Sequence, residues 1–134
     1  MDKFDIHHSS VRRFPKIPRE IRVEVRYVRE GSATETLPIY EGATAEFDAT
    51  GMILWARLPS SRWLSELLAT KMLLAVTFDV PGDDAPVEVR ARVAWVEAFD
   101  RETFQFRLGL VFEKISDQDS ARIKRFLASV PNPG

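Results

Sequence analysis

The sequence predicts an all-β fold with a C-terminal helix, closed into an antiparallel six-stranded barrel. Apolar residues alternate with polar ones along several segments, turn residues separate those segments without helical crossovers, and the last segment has helical periodicity. A closed barrel is favoured because closure leaves few strand edges exposed. The 134 residues fit one domain. Within it we expect a flexible tail and cationic arm over residues 1–20, then the barrel with its helix over 21–134.

Three of the strands are predicted from a period of two in the apolar pattern, and the other three from flanking turns and from apolar and β-branched content. Between Ile21 and Tyr27 every second residue is apolar and the residues between are charged, as in a half-buried strand. Turn-forming residues at 48–51 and 81–84 separate later segments. Trp95 and the alternate phenylalanines of the last strand are expected in the core. The segments expected as strands are 21–27, 43–47, 52–58, 71–80, 87–95 and 104–112.

The C-terminal segment is predicted to be a helix that packs against the barrel. Ser116 is a suitable N-cap, and Asp117 and Asp119 favour the positive end of the helix dipole. Pro131 ends the helix. Its apolar stripe comprises Ile123, Phe126, Leu127 and Val130.

A shorter helix is expected between residues 60 and 71, where apolar residues recur at helical spacing. Two interpretations stay open: these side chains plug one end of the barrel, or they form a surface for a partner protein. On the second interpretation, the candidate partner-binding residues are Trp63, Leu64 and Leu67.

Charge and composition exclude several classes of function. The 19 basic and 20 acidic residues give a net charge of -1, which argues against general nucleic-acid binding. The absence of cysteine excludes disulfides and thiolate chemistry. The sequence has neither a signal peptide nor an apolar run near the roughly 20 residues of a membrane span, so a cytoplasmic location is expected.

Enzyme activity and metal binding are not expected either. The sequence has no Gly-x-Ser-x-Gly elbow, no phosphate-binding Gly-rich loop and no His-Glu-x-x-His pattern. The two histidines, His7 and His8, lie in the polar tail. The carboxylates around Asp48 are too few for a calcium loop, which needs about six to eight oxygen ligands.

The N-terminal arm carries three candidate ligand-binding cations. Pro15 and Pro18 keep the arm extended, because each fixes its own φ and disfavours helix in the residue before it. Arg12, Arg13 and Lys16 on such an arm can lie across a neighbouring surface and hold an anion there.

Three strings of sequence, in their order, resemble the PilZ domain family. Residues 90–95, Arg-Ala-Arg-Val-Ala-Trp, are similar to a strand of that family that ends in tryptophan. Residues 107–116 are similar to its glycine-containing strand before the last helix, and 119–123 to a run within that helix. With the arm, the resemblance spans residues 12–128. It implies a bacterial signalling barrel that binds cyclic di-GMP or acts as a protein adaptor.

Family members that bind cyclic di-GMP carry two motifs, and this sequence has a degraded version of each. In the first, two arginines flank three residues; Arg12 matches, and Lys16 stands at the second place. In the second, Asp/Asn-x-Ser-x-x-Gly, Glu46 stands at the acidic place, Asp48 at the serine place, and Gly51 matches. The resemblance implies that the two cations hold phosphate and guanine, that the glutamate accepts from guanine, and that the glycine permits close backbone approach.

The two substitutions weaken this expected site unequally. Lys16 keeps the charge of an arginine but loses its forked donors and stacking plane. Asp48 replaces a hydroxyl donor by a carboxylate near a dianion. At about 4 Å and an effective dielectric near 20, two like charges repel by roughly 4 kcal/mol, and even half of that lowers affinity more than tenfold.

Two functions follow from the resemblance. The first is a non-enzymatic adaptor that binds proteins constitutively and has weakened or lost cyclic di-GMP binding, as Asp48 and the segment around Trp63 favour. The second is a genuine receptor whose arm orders on the nucleotide and changes a partner-binding surface, as Arg12 and Lys16 favour. Both imply a protein partner in motility, pilus or envelope-polysaccharide machinery, no nucleic acid, and no cofactor apart from cyclic di-GMP as a ligand. An unrelated small barrel that binds another anion or a nucleic acid stays open as a third.

Overall fold

A computed structural model describes residues 14–29, 31, 37–60 and 62–130 of the chain. It contains six strands and two helices within those ranges. The elements are β1 Lys16–Arg29, β2 Tyr40–Asp48, β3 Gly51–Arg57, α1 Trp63–Leu68, β4 Met72–Phe78, β5 Val87–Asp100, β6 Gln105–Ile115 and α2 Asp117–Ser129.

The strands form a closed barrel in the order β1-β2-β3-β6-β5-β4, and every neighbouring pair is antiparallel. The predicted fold class, a six-stranded antiparallel barrel with a C-terminal helix, is therefore confirmed. β1 pairs with β4 as well as with β2, which closes the barrel, so neither β1 nor β4 is left as an edge strand.

β1 begins earlier than the alternating pattern predicts. Lys16 pairs with Glu46 of β2, and the regular register resumes only at Ile21. The irregularity between them accommodates Pro18, which has no N–H to donate to a ladder. The second half of the expected arm is thus joined to the barrel wall.

The core lies inside the barrel and follows the period of two. On β4, for example, alternate residues from Met72 to Phe78 are buried and those between are partly exposed. Fully buried side chains include Phe47, Met52, Leu54, Leu67, Leu74, Leu108, Leu110 and Ile123.

α2 is capped as its sequence predicts, and an arginine that the sequence did not single out ties it to the barrel. The Ser116 hydroxyl accepts a hydrogen bond from the Asp119 N–H at 3.0 Å. Arg122 lies 3.1 Å from Asp83 and 2.9 Å from Asp119, which ties the helix to the turn after β4. Phe126 stacks on Phe47 with ring centroids 6.0 Å apart, so the apolar stripe faces the barrel.

Neither helix in the described ranges is long and apolar enough to cross a lipid bilayer.

Candidate functional site

The arm is docked on the outer wall of the barrel by Phe14. Its side chain is only 5% exposed, and its ring stacks on Trp95 with centroids 6.3 Å apart and planes 8° apart. The carbonyl of Pro15 accepts a hydrogen bond from the Phe47 N–H at 3.1 Å. An aromatic stack and a backbone hydrogen bond thus hold the arm from Phe14 onward.

Two glycines make room for this stack. A Cβ on Gly51 would lie 2.3 Å from the Leu110 carbonyl oxygen and 2.7 Å from Phe14 Cζ. A Cβ on Gly109 would lie 1.9 Å from a ring atom of Trp95. The chain's own Phe14 thus packs closely against the motif glycine Gly51, and the expected approach of a nucleotide there stays a prediction.

Trp95 corrects the expectation that it belongs to the core. It lies opposite Gly109, and the β5–β6 register shifts between Val93 and Trp95. This bulge breaks the period of two, so that Val96 packs against the core while Trp95 faces the arm. Phe104 is a second correction, because its side chain is 67% exposed in the turn before β6.

Glu46 is held by an arginine from β6. Its residue is 8% exposed, and its Oε1 accepts a hydrogen bond from Arg107 Nη2 at 2.8 Å. Arg107 Nε lies 3.0 Å from Glu97 Oε1, and the Glu97 Oε2 accepts from the Trp95 indole N–H at 3.0 Å. The Arg107 guanidinium also lies 5.8 Å from the Trp55 ring centroid. One cation thus neutralises two carboxylates on this wall.

Asp48 is engaged by its own turn. Its Oδ1 accepts hydrogen bonds from the Thr50 N–H at 2.7 Å and from the Thr50 hydroxyl at 2.6 Å. These bonds brace the β2–β3 turn, as Asp commonly does in turns. The position of the family serine is therefore filled by a residue with a local structural role.

The structure brings four of the candidate ligand-binding residues together, and we call this group with Phe14 the arm–turn site: Phe14, Lys16, Glu46, Asp48 and Gly51. Lys16 is exposed and lies opposite Glu46 in the β1–β2 register. Arg12 and Arg13 lie outside the described residues, so their roles stay predictions.

Sequence reasoning missed Phe14, Trp95 and Arg107 as members of this neighbourhood. Phe14 lies between Arg12 and Lys16, in a motif whose cations drew the attention. Trp95 is the last residue of the string 90–95 that resembles a strand of the family. Arg107 had no local signal, because it meets Glu46 from 61 residues away.

α1 closes one end of the barrel. Leu67 is fully buried and belongs to the core, which corrects its assignment to a partner-binding surface. Trp63 and Leu64 are partly buried, and Leu68 is 45% exposed. The apolar surface that α1 exposes therefore comes from Leu68 and, in part, from Trp63 and Leu64.

The residue beneath α1 is a buried tyrosine. Tyr27 meets Trp63 edge to face at 5.5 Å, and its hydroxyl donates to the Arg57 carbonyl at 2.7 Å. Burial raises the pKa of Tyr27 well above its ordinary value, and the neighbouring Tyr40 hydroxyl adds to the shift. The tyrosine is thus a neutral, hydrogen-bonded polar group.

In the described part of the chain, no three His, Cys, Asp or Glu side chains converge in a way that could hold a metal ion.

Comparison with known proteins agrees with this fold. The family model of the PilZ domain matches residues 10–129. Among solved structures, the chain is similar to the "PilZ domain with c-di-GMP of YcgR from Escherichia coli". That likeness has a TM-score of 0.53 and 11% identity, and it covers 90% of this chain and 91% of that one. None of the curated proteins matches the chain. Because the family match spans most of the sequence, the chain belongs to the PilZ domain family.

Proposed function

We propose that this PilZ domain is a non-enzymatic, protein-binding adaptor of bacterial second-messenger signalling, with weakened or lost cyclic di-GMP binding. The observation that carries the proposal is the Arg107–Glu46 ion pair. The acidic residue that would accept from guanine already accepts from an arginine of its own barrel. The family match replaces the interpretation of an unrelated anion-binding barrel.

The ion pair makes a guanine compete for Glu46. The glutamate side chain is 11% exposed, and its Oε1 lies 2.8 Å from Arg107 Nη2. Drawing this carboxylate to a ligand would disrupt a largely buried charge pair, which is costly because the arginine would lose part of its neutralisation.

Asp48 opposes the nucleotide in a second way. Its Oδ1 accepts two hydrogen bonds from Thr50, so the carboxylate is fixed in the turn. A serine there would offer a donor to a phosphate, whereas a carboxylate offers none and repels the dianion.

In the receptor mechanism the arm becomes ordered when the nucleotide binds, and here part of the arm is already docked. Phe14 and Ile17 are 5% and 7% exposed, and Pro15 is hydrogen-bonded to β2. An arm that already packs on the barrel from Phe14 onward has less ordering to gain from a ligand than a free arm has.

The receptor is the second candidate, and Lys16 favours it. This lysine is exposed and sits across from Glu46, where a ligand phosphate could reach it. The similar YcgR domain was solved with c-di-GMP, which makes the same ligand the one to test here.

The partner that we propose for the adaptor is a protein of motility, pilus or envelope-polysaccharide machinery. α1 offers one surface for it, because Leu68 is 45% exposed beside the partly buried Trp63 and Leu64. We propose a cytoplasmic location for this function.

Isothermal titration with cyclic di-GMP tests the proposal. The wild-type protein and an Arg12→Ala/Lys16→Ala variant are titrated side by side, and melting temperatures are measured with and without ligand. The adaptor predicts no heat and no shift in melting temperature at ligand concentrations far above micromolar. Micromolar or tighter binding that the variant loses would establish the receptor instead.

A further inference from the structure

A row of three cations crosses four neighbouring strands on the outer wall of the barrel. Arg26 of β1 pairs in register with Ala75 of β4, Ala75 pairs with Arg90 of β5, and Arg90 pairs with Lys114 of β6. Neighbouring strands lie about 4.8 Å apart, so the row extends over roughly 14 Å. We call Arg26, Arg90 and Lys114 the cationic row.

These cations have no carboxylate partner among the described residues. The ion pairs of the described ranges involve other arginines; on the same wall, Arg92 Nε lies 3.2 Å from Glu113 Oε2. Arg26 Nε is buried from solvent and makes no hydrogen bond within the described part of the chain. A buried donor without an acceptor is uncommon and costs stability.

The pairing of Arg90 with Lys114 is also unfavourable by itself. Like charges directly opposite on antiparallel strands destabilise the pair. The residues that line the hollow around this pair include three cations and one carboxylate, that of Glu88, so their net charge is positive.

The cationic row lines a shallow hollow of about 320 Å³. Ala75 contributes little bulk between Arg26 and Arg90, and Ser116, the N-cap of α2, lies at the rim. The N-terminus of α2 adds partial positive charge, which Asp117 and Asp119 in its first turn reduce. Glu88 also lines the hollow, and none of the ion pairs within the described ranges joins it to the row.

We propose that this hollow binds an acidic segment of the protein partner. The choice of a protein ligand rests on the proposed adaptor function. Arginine forks match carboxylates in a bidentate manner, and a row about 14 Å long fits several carboxylates along an extended chain better than one compact anion. The net charge of the protein is -1, so attraction of an acidic chain has to come from a local patch.

Fluorescence anisotropy with a fluorescein-labelled hexaglutamate peptide at low ionic strength tests the inference. An Arg90→Gln/Lys114→Gln variant should bind the peptide at least about fivefold more weakly than wild type, since each exposed charge pair contributes modestly. The matched control Arg101→Gln/Lys124→Gln removes the same charge from exposed positions outside the row, and it should bind like wild type.

A second variant separates this surface from the arm. Arg12→Ala/Lys16→Ala should retain peptide binding, because neither residue is a member of the cationic row. Melting temperature provides a further readout. The melting temperature of Arg90→Gln/Lys114→Gln should equal or exceed that of wild type, since the variant removes opposed like charges. If the two cations had a structural role, the variant would melt at a lower temperature.

Equal weakening by the two glutamine pairs, or no weakening by either, would overturn the inference. Binding of tripolyphosphate to the row without binding of hexaglutamate would also overturn it, in favour of a small phosphate ligand. Failure of the adaptor proposal appears in a different experiment, as cyclic di-GMP binding in the titration, so the two outcomes are distinguishable.

Discussion

Within the described residues, charged side chains form ion pairs and hydrogen bonds with one another in one part of the barrel wall, and in another part three cations do not. At the arm–turn site, Glu46 and Glu97 share Arg107, and Asp48 is bound to its own turn. Along the cationic row, Arg26, Arg90 and Lys114 have no carboxylate partner in the described ranges. Paired charges that are largely buried are costly to separate and so are poorly available to a ligand, whereas like charges opposite one another lower stability and remain available. If both proposals hold, the surface that binds a ligand in this domain is not the one that carries the family motifs.

Removal of Arg107 should have the largest effect. Arg107→Ala would leave the largely buried Glu46 and its neighbour Glu97 without a cation. We expect unfolding to become easier by about 3 kcal/mol, the lower end for a broken buried pair because both partners keep some solvent contact. Urea unfolding measures this loss.

Arg101→Ala is the control for that measurement, since Arg101 is exposed in the turn before β6. It should change stability by no more than about 0.5 kcal/mol. Similar losses in the two variants would show that the charges at the arm–turn site are not stabilising one another.

Gly109→Ala should disrupt the docking of the arm. The added Cβ would meet the Trp95 ring at 1.9 Å, so the indole and the Phe14 ring stacked on it must move. Overpacking of this kind costs about 2 kcal/mol. Thermal unfolding gives the cost, and faster tryptic cleavage after Lys16 would report release of the arm. Unchanged cleavage would mean that the stack does not hold the arm.

Tyr27 is a buried polar group that is neutral, in contrast to the charged groups of the two surfaces. Its pKa is raised by burial and by Tyr40, so the folded protein keeps the phenol proton at pH values where the unfolded chain loses it. Stability is therefore retained below about pH 10 and falls above it, by up to about 1.4 kcal/mol per pH unit. In alkaline unfolding series, Tyr27→Phe should flatten this dependence. An equally steep fall in the variant would refute the assignment.

Neutralising part of the cationic row should have the smallest effect, and with the opposite sign. Arg90→Gln/Lys114→Gln removes a pair of opposed like charges, so the free energy of unfolding should rise by about 0.5 kcal/mol. Chemical denaturation at low and high salt measures it, and the gain should shrink at high salt because salt screens the repulsion. A loss of stability would mean that the row has a structural partner.

Much of the fold could be predicted from local pattern. Alternation identified three of the strands, and turn residues with apolar and β-branched content identified the other three. Ser116 with the apolar stripe of α2 identified the last helix. The start of β1 was missed because Pro15 and Pro18 interrupt the pattern, although the chain pairs with β2 from Lys16. The sequence pattern did not predict that the Trp95 side chain points away from the core, because a bulge interrupts the period of two before it.

The site was less predictable, because it depends on partners far apart in sequence. Motif similarity placed Glu46, Asp48 and Gly51 at one turn, which the β2–β3 pairing bears out. The engagement of Glu46 by Arg107 requires knowledge that β6 lies near β2 across β3. The cationic row likewise emerges only from the register of four strands, since its members are widely separated along the chain.

Restoring the family residues at motif positions 16 and 48, with Glu46 unchanged, tests most directly the claim that this site has lost donors for the nucleotide. A Lys16→Arg/Asp48→Ser variant regains the forked donor and the hydroxyl, while serine can still accept from the Thr50 N–H. Isothermal titration with cyclic di-GMP should detect binding at least about tenfold tighter than that of wild type. The matched control, Lys124→Arg/Asp79→Ser, should behave like wild type. Tight binding by wild type with no gain in the restored variant would contradict the account, because the arm–turn site would then be a working nucleotide receptor as it stands.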